Sequence, residues 1–174
     1  FIVILFTKIE EPEQAPVQTG ILEKGKVEQG KKDAQGRNAC AVWRFADGTK
    51  QVNLRYGISF ISAEQAKNNL YREQTDYNAA ALAAKGRDVW NKTLARIDVK
   101  GGTEDEKTVL YSSYYRTFER PICMSEDGRY FSAFDGKVHE DNGTPFYTDD
   151  WIWDTYRAAH PLRLLIDQKI EEDI

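Results

Sequence analysis

The chain is poor in the residues and patterns that announce most chemistries. It holds two histidines, His139 and His160, in separate segments, and two cysteines, Cys40 and Cys123, far apart in sequence. Neither pair gives a metal spacing or a disulfide framework, so a zinc centre and a stapled scaffold both lose their signals, and the thiols are expected as small buried side chains. There is no basic excess: 24 lysines and arginines stand against 28 aspartates and glutamates, a formal net charge of −4. A nucleic-acid partner would ask for a basic stripe, and none runs along the chain. The apolar opening, residues 1–6, is far too short to cross a bilayer and has no basic leader, so it reads as a buried strand. A GxSxG elbow, a phosphate loop, a dinucleotide glycine fingerprint, an HExxH pair and internal repeats are all missing, which removes the usual marks of hydride transfer, phosphate cradling and zincin chemistry.

What the chain does have is one crowded stretch, Tyr147-Thr-Asp-Asp-Trp-Ile-Trp-Asp-Thr-Tyr-Arg-Ala-Ala-His-Pro161. Thr148 or Asp149 is expected to cap a helix there, with Asp149 and Asp150 where the positive end of the helix dipole favours acids. Asp150 and Asp154, four residues apart, then share one helical face. Trp151 and Trp153 diverge by about 200°, so one is expected in the core and the other as a lining. An aromatic face beside carboxylates suits a sugar, whose C–H face packs on the ring while its hydroxyls donate to the acids. The plainer alternative is a capped helix with buried tryptophans, Asp154 pairing with Arg157 or Arg129. His160, before a proline, reads as a structural residue.

Along the chain, residues 1–8 read as a strand and residues 10–37 as a long glycine- and proline-broken loop with one short strand near 20–24. Residues 38–45 and 51–60 alternate apolar and polar, the first through Ala39, Ala41, Trp43 and Phe45, the second through Val52, Leu54, Tyr56, Ile58 and Phe60. They are expected as a half-buried hairpin turned at Asp47-Gly48. Ser62-Ala-Glu-Gln65 has the form of a capping box and opens a helix to about residue 73. A second helix is expected over 77–97, with Trp90 a core anchor and Gly86 an interior weakness of roughly 1 kcal/mol against alanine. Thr103-Glu-Asp-Glu106 is a further capping box, starting a third helix that carries Val109, Leu110, Tyr114 and Phe118 and ends at Pro121. Residues 122–138 turn extended again and give a small hairpin around Asp127-Gly128 and Asp135-Gly136. The last helix should run from 150 to 165, kinked or ended near His160, because Pro161 has no N–H for the Arg157 carbonyl.

Several of these segments occur in an order that resembles glycoside hydrolase family 92, the calcium-dependent exo-acting α-mannosidases. They are Tyr56-Gly-Ile-Ser-Phe-Ile-Ser-Ala-Glu-Gln-Ala66, Ala84-Lys-Gly-Arg-Asp-Val-Trp-Asn91, Gly101-Gly-Thr-Glu104, Tyr114-Tyr-Arg116, Phe134-Asp-Gly-Lys137 and Trp153-Asp-Thr-Tyr-Arg-Ala158. The resemblance covers about residues 38–167 and is weak over 9–37. It implies an α+β chain: residues 1–61 as the last strands of an antiparallel β-sandwich, 62–100 as a helical linker, and 101–174 as the first helices of an (α/α)6 barrel with an inserted β-hairpin. It further implies inverting hydrolysis of terminal α-mannose, α-1,2-linked, with calcium as cofactor, a mannose-terminated glycan as partner and a periplasmic or secreted bacterial location. The general acid and the general base of that family have no counterparts in this chain, and its calcium ligands are expected outside it. The match is to the pair lining the pocket for the terminal mannose, here Trp153 and Asp154. Two departures stand out, Arg120 where histidine is common before the proline, and Asp149-Asp150-Trp151 in place of an aromatic-serine version. A non-catalytic carbohydrate-binding module or a structural interdomain piece is the competing reading.

Overall fold

The computed structural model describes residues 3–10, 15–36 and 40–174. The readings that touch Pro12, Asn38, Ala39 and the first two residues lie outside those bounds. Five strands come first, β1 (Ile4–Ile9), β2 (Gln18–Glu23), β3 (Lys26–Gln29), β4 (Cys40–Arg44) and β5 (Leu54–Ser59). They form two antiparallel sheets, β1-β5 and β3-β2-β4.

Two expectations are corrected here. The segment read as a long loop contains the β2–β3 hairpin, closed by Lys24 and Gly25 with φ of 51° and 78°. Two left-handed residues in a two-residue loop are what the twist of a tight hairpin requires, and only the second is a glycine, which hid the turn. The turn at Asp47-Gly48 forms, with the Thr49 N–H donating to the Ala46 carbonyl at 3.2 Å, but the strands on either side of it do not pair. β4 joins β2 and β5 joins β1. Alternation fixes the face that a side chain takes and says nothing of the neighbour that the ladder takes.

The alternation in β5 is present but reversed in use. Arg55, Gly57 and Ser59 are buried, whereas Leu54, Tyr56 and Ile58 are exposed, Tyr56 to 61%. The reason lies in α1 (Ala63–Glu73), which crosses the strand so closely that a Cβ built on Gly57 would sit 2.3 Å from the Ala66 carbonyl oxygen and 2.8 Å from Leu70 Cβ. Ser59 turns the chain into that helix, its Oγ accepting from the Ile61 and Ser62 N–H groups at 2.9 and 3.3 Å. Ser62 caps α1 through the Gln65 N–H at 3.0 Å. The reciprocal half of the expected capping box is not made, because the Gln65 side chain leaves to bond elsewhere.

Its partners tie the strands to the later half of the chain. Gln65 Nε2 donates to Asp127 Oδ2 at 2.5 Å, and the Arg129 guanidinium donates to Gln65 Oε1 at 2.9 Å. Asn69 Nδ2 donates to Glu126 Oε2 at 2.6 Å and to the Ile58 carbonyl at 2.9 Å, while the Phe60 N–H donates to Glu126 Oε1 at 2.9 Å. Arg72 pairs with Asp127. The Gln65 amide and, after it, the Arg72 guanidinium hold the Asp127 carboxyl below its ordinary range. The junction between the early strands and the 126–129 turn is thus polar and fully bonded.

The helices that follow expose much apolar surface. α2 (Ala79–Leu94), capped by Asn78, is shorter than expected and has no buried residue. Trp90, expected as a core anchor, is 36% exposed and packs only on α3 (Glu104–Arg116) and its end, with ring centroids 4.5 Å from Tyr115 and 5.7 Å from Phe118. α3 carries the full Thr103–Glu106 capping box and buries Tyr114 alone. Four short strands then appear, β6 (Ile122–Cys123), β7 (Arg129–Ser132), β8 (Lys137–Glu140) and β9 (Tyr147–Thr148). β7–β8 is the inserted hairpin, and β6–β9 clamps its base. Cys40 and Cys123, expected buried, are both exposed, each on a short strand with an open face. Three helices end the chain, α4 (Ile152–Thr155), α5 (Ala159–Ile166) and α6 (Gln168–Asp173). The fold is α+β, with antiparallel sheets and separate helices and, among the described residues, no closed barrel. Among the described residues, no helix is long and apolar enough to cross a membrane.

Candidate functional site

The crowded stretch begins in β9 and passes through a tight corner. Thr148 is in the strand, Asp149 is left-handed with φ of 63°, and Trp151 takes the N-cap position of α4 without a side-chain cap bond. The expected cap at Thr148 or Asp149 is therefore not made. The carboxylates have gone elsewhere: Asp149 Oδ2 is 2.7 Å from Arg120, whose guanidinium also lies 4.9 Å above the Trp151 ring. Asp150 stands before the helix, so it shares no helical face with Asp154. It accepts from Thr155 Oγ1 at 3.1 Å and faces His160 Nε2 at 3.1 Å.

His160 is gripped from the other side as well. Its Nδ1 is 2.5 Å from Glu171 Oε1 of α6, and Thr155 Oγ1 lies 3.0 Å from its Nε2. Arg163, buried, faces Glu171 at 3.6 Å and donates to the Thr117 carbonyl at 2.8 Å and to the Arg120 carbonyl. The helix break falls at 156–158, earlier than expected, and Pro161 occupies the first turn of α5, where its missing N–H costs no bond.

Between these two anchors, α4 presents Trp153 and Asp154 outward. Trp153 is 85% exposed and Trp151 53%, so neither is the core residue that one of them was expected to be. Asp154 is exposed, and its carboxylate makes no hydrogen bond or ion pair among the described residues. The arginines that could have neutralised it are occupied, Arg157 with the Tyr156 hydroxyl at 2.7 Å and Arg129 with Gln65. An unengaged carboxylate one residue from an upturned indole can accept hydroxyl hydrogen bonds while the ring offers a stacking face. Glu171 and Arg163 are not singled out by the sequence, and Arg120 stands out there only as a departure from the family pattern; that Arg120 meets Asp149 and Arg163 meets the Thr117 and Arg120 carbonyls depends on segments 29 to 46 residues apart.

Two cavities lie elsewhere. One of about 370 Å³ is lined by Tyr114, Phe118, Ile122, Arg163 and Ile170, among others, and a second of about 320 Å³ sits beside Tyr130, Glu140 and Phe146. Trp153 and Asp154 border neither. Calcium requires six to eight converging oxygens. Among the described residues no group of three or more metal-ligating side chains converges, and Asp150 and Glu171 stand at opposite nitrogens of the His160 ring. The residues present do not fit that ion.

The family model for the glycosyl hydrolase family 92 catalytic domain matches residues 65–174. Among solved structures, the chain is similar to a family GH92 inverting mannosidase from Bacteroides thetaiotaomicron VPI-5482, with 31% identity and a TM-score of 0.72 over 91% of this chain and 22% of that one. It is also similar to a family GH92 α-mannosidase from Bacteroides thetaiotaomicron, with a TM-score of 0.78 and 23% identity over 98% of this chain and 24% of that one, a likeness of fold. The chain therefore spans less than a quarter of the length of these solved structures. No curated protein matches it.

Proposed function

The chain belongs to glycosyl hydrolase family 92, and from that membership we propose that it is part of an inverting, calcium-dependent exo-α-mannosidase that removes terminal, α-1,2-linked mannose from glycans. In this reading residues 1–61 close a β-sandwich, 62–100 link it to the catalytic domain and 101–174 open an (α/α)6 barrel. The exposed stripe Leu54, Tyr56 and Ile58 supports the first assignment, since a sandwich strand buries one face against a second sheet. Trp153 and Asp154 contribute to the pocket for the terminal mannose. The general acid, the general base and the calcium ligands come from elsewhere in the enzyme, which acts in the periplasm or outside the cell.

The observation that carries the proposal is the Asp154 carboxylate, exposed, unpaired and beside Trp153, within the family-matched region. An inverting enzyme needs two carboxyl groups about 6.5–9.5 Å apart across the scissile bond. Asp150 is already held by Thr155 and His160, so it is not the partner of Asp154 in such a pair. The test is turnover of an aryl α-mannoside by the full-length protein, with and without a calcium chelator, with the first-formed sugar observed by NMR. β-Mannose formed only with calcium is expected; an α-anomer product, or no turnover, contradicts the reading. A non-catalytic sugar-binding module is the second reading, favoured by the open placement of Trp153 away from both cavities. It predicts mannoside binding without turnover.

A further inference from the structure

We infer that His160 is a positioning residue for the Trp153–Asp154 pair: held at one ring nitrogen by Glu171, it holds the Asp150 carboxylate at the other and so sets where α4 presents Asp154. The inference rests on the sugar-binding reading of that pair.

α4 is a single turn with no side-chain cap, and the two residues it presents make no side-chain bonds of their own that would fix them. Its orientation must therefore come from its ends. At the leading end, Asp150 Oδ2 is 3.1 Å from His160 Nε2; at the trailing end, Thr155 Oγ1 lies 3.1 Å from Asp150 Oδ1, 3.0 Å from the Trp151 carbonyl and 3.0 Å from His160 Nε2, its one proton shared between the two acceptor oxygens. Both ends thus converge on one imidazole edge. The opposite edge meets Glu171, which faces Arg163, and Arg163 reaches back to the carbonyls of Thr117 and Arg120 beyond α3. A path of polar contacts thus runs from the scaffold through His160 to the presenting turn.

The path is also the drier part of the site. Side-chain exposure is 21% at Asp150, 15% at His160, 11% at Glu171 and 9% at Arg163. Hydrogen bonds in such surroundings are stronger than at an open surface, and an unpaired member costs more. The Arg120–Asp149 pair anchors the preceding residue from a separate direction, so loss of His160 would free the turn without unfolding the corner. A merely structural role for His160, joining α5 to α6 through Glu171, is the competing explanation. It involves the other ring nitrogen, and this makes the two separable.

The amide nitrogen of asparagine occupies the place of Nδ1 and that of glutamine the place of Nε2. His160→Asn keeps the Glu171 contact and loses Asp150, whereas His160→Gln keeps Asp150 and loses Glu171. In the full-length enzyme, His160→Asn, which severs the turn from residue 160, should lower kcat/KM by about ten- to a hundredfold, the scale of a displacement near 1 Å, while His160→Gln, still bonded to Asp150 from the α5 backbone but without the Glu171 brace, should lose less, about three- to tenfold. Amide exchange over 151–156 should quicken more in His160→Asn than in His160→Gln. Unchanged kinetics and exchange in His160→Asn would overturn the inference, as would equal losses in both variants together with a lowered Tm. If the wild-type enzyme cleaves no mannoside, the functional reading fails, and exchange over 151–156 still decides the positioning role.

Discussion

Replacing Gly57 by alanine adds one methyl group at the tightest glycine in the described structure, and its effect follows from two distances. The new Cβ would lie 2.3 Å from the Ala66 carbonyl oxygen and 2.8 Å from Leu70 Cβ, both on α1. Neither obstacle can rotate away, since one is helix backbone and the other is fixed to it. α1 must retreat from β5 by roughly 1 Å to reach ordinary contact, and a gap of that size forfeits a quarter to half of the attraction at each atom it separates. Ala66 and Leu70, at 0% and 2% exposure, are the best-packed apolar residues there and lose most. Overpacking of this kind costs about 1–3 kcal/mol, and the rigid obstacles place Gly57→Ala near 3 kcal/mol. Gly86→Ala is the control: nothing lies within 4 Å of its Cβ, and it is inside α2, where alanine stabilises by about 0.5–1 kcal/mol. Urea unfolding of the full-length protein and the two variants, followed by circular dichroism, reads both. A Gly57→Ala midpoint equal to or above the wild type, or a shift of the same sign in both variants, would refute the close-approach account.

Asp127 makes the stability of the polar junction depend on acid. Its folded carboxyl titrates below the ordinary value of 3.8, mainly through the Gln65 amide, so its contribution is complete above that value and fades as pH falls through the folded one. Urea midpoints measured from neutral pH down to about pH 3 should fall more steeply for wild type than for Asp127→Asn; equal slopes would show that the carboxylate adds nothing. The 174-residue chain by itself should not turn over an aryl α-mannoside, with or without calcium, because groups that each contribute about 10²- to 10⁴-fold are assigned elsewhere. Turnover that survives repurification would contradict that assignment.

Local signals were the legible part of the fold. Ser62, Thr103 and Glu106 marked two helix starts correctly because a cap is a contact between residues three apart, and period-two alternation found the strands at 40–44 and 54–59. What alternation could not show was pairing: β4 and β5 took β2 and β1 as partners, and the β5 stripe faces outward because Gly57 admits α1 on the other side. Gln65 was read as half of a capping box, yet its amide bonds Asp127, far along the chain. In the site, Trp153 and Asp154 were singled out by type and spacing alone. That they are exposed and unpaired was not legible, since it depends on Arg157 and Arg129 being engaged elsewhere. By type and position the Asp149-Asp150 pair is a helix-dipole feature; its partners across the fold, Arg120 and His160, turn those carboxylates into anchors instead.

Asp154→Asn in the full-length enzyme tests the central claim most directly, with kcat/KM on a mannoside and Tm measured on the same preparation. Asparagine keeps the shape, and Asp154 has no bonded partner to lose, so Tm should not move. A charged hydrogen bond to a sugar hydroxyl is worth roughly 1.5–3 kcal/mol. The variant should therefore lose about one to two orders of magnitude in kcat/KM. Normal kinetics with a lowered Tm would mean that Trp153 and Asp154 are scaffold and that the sugar is bound elsewhere.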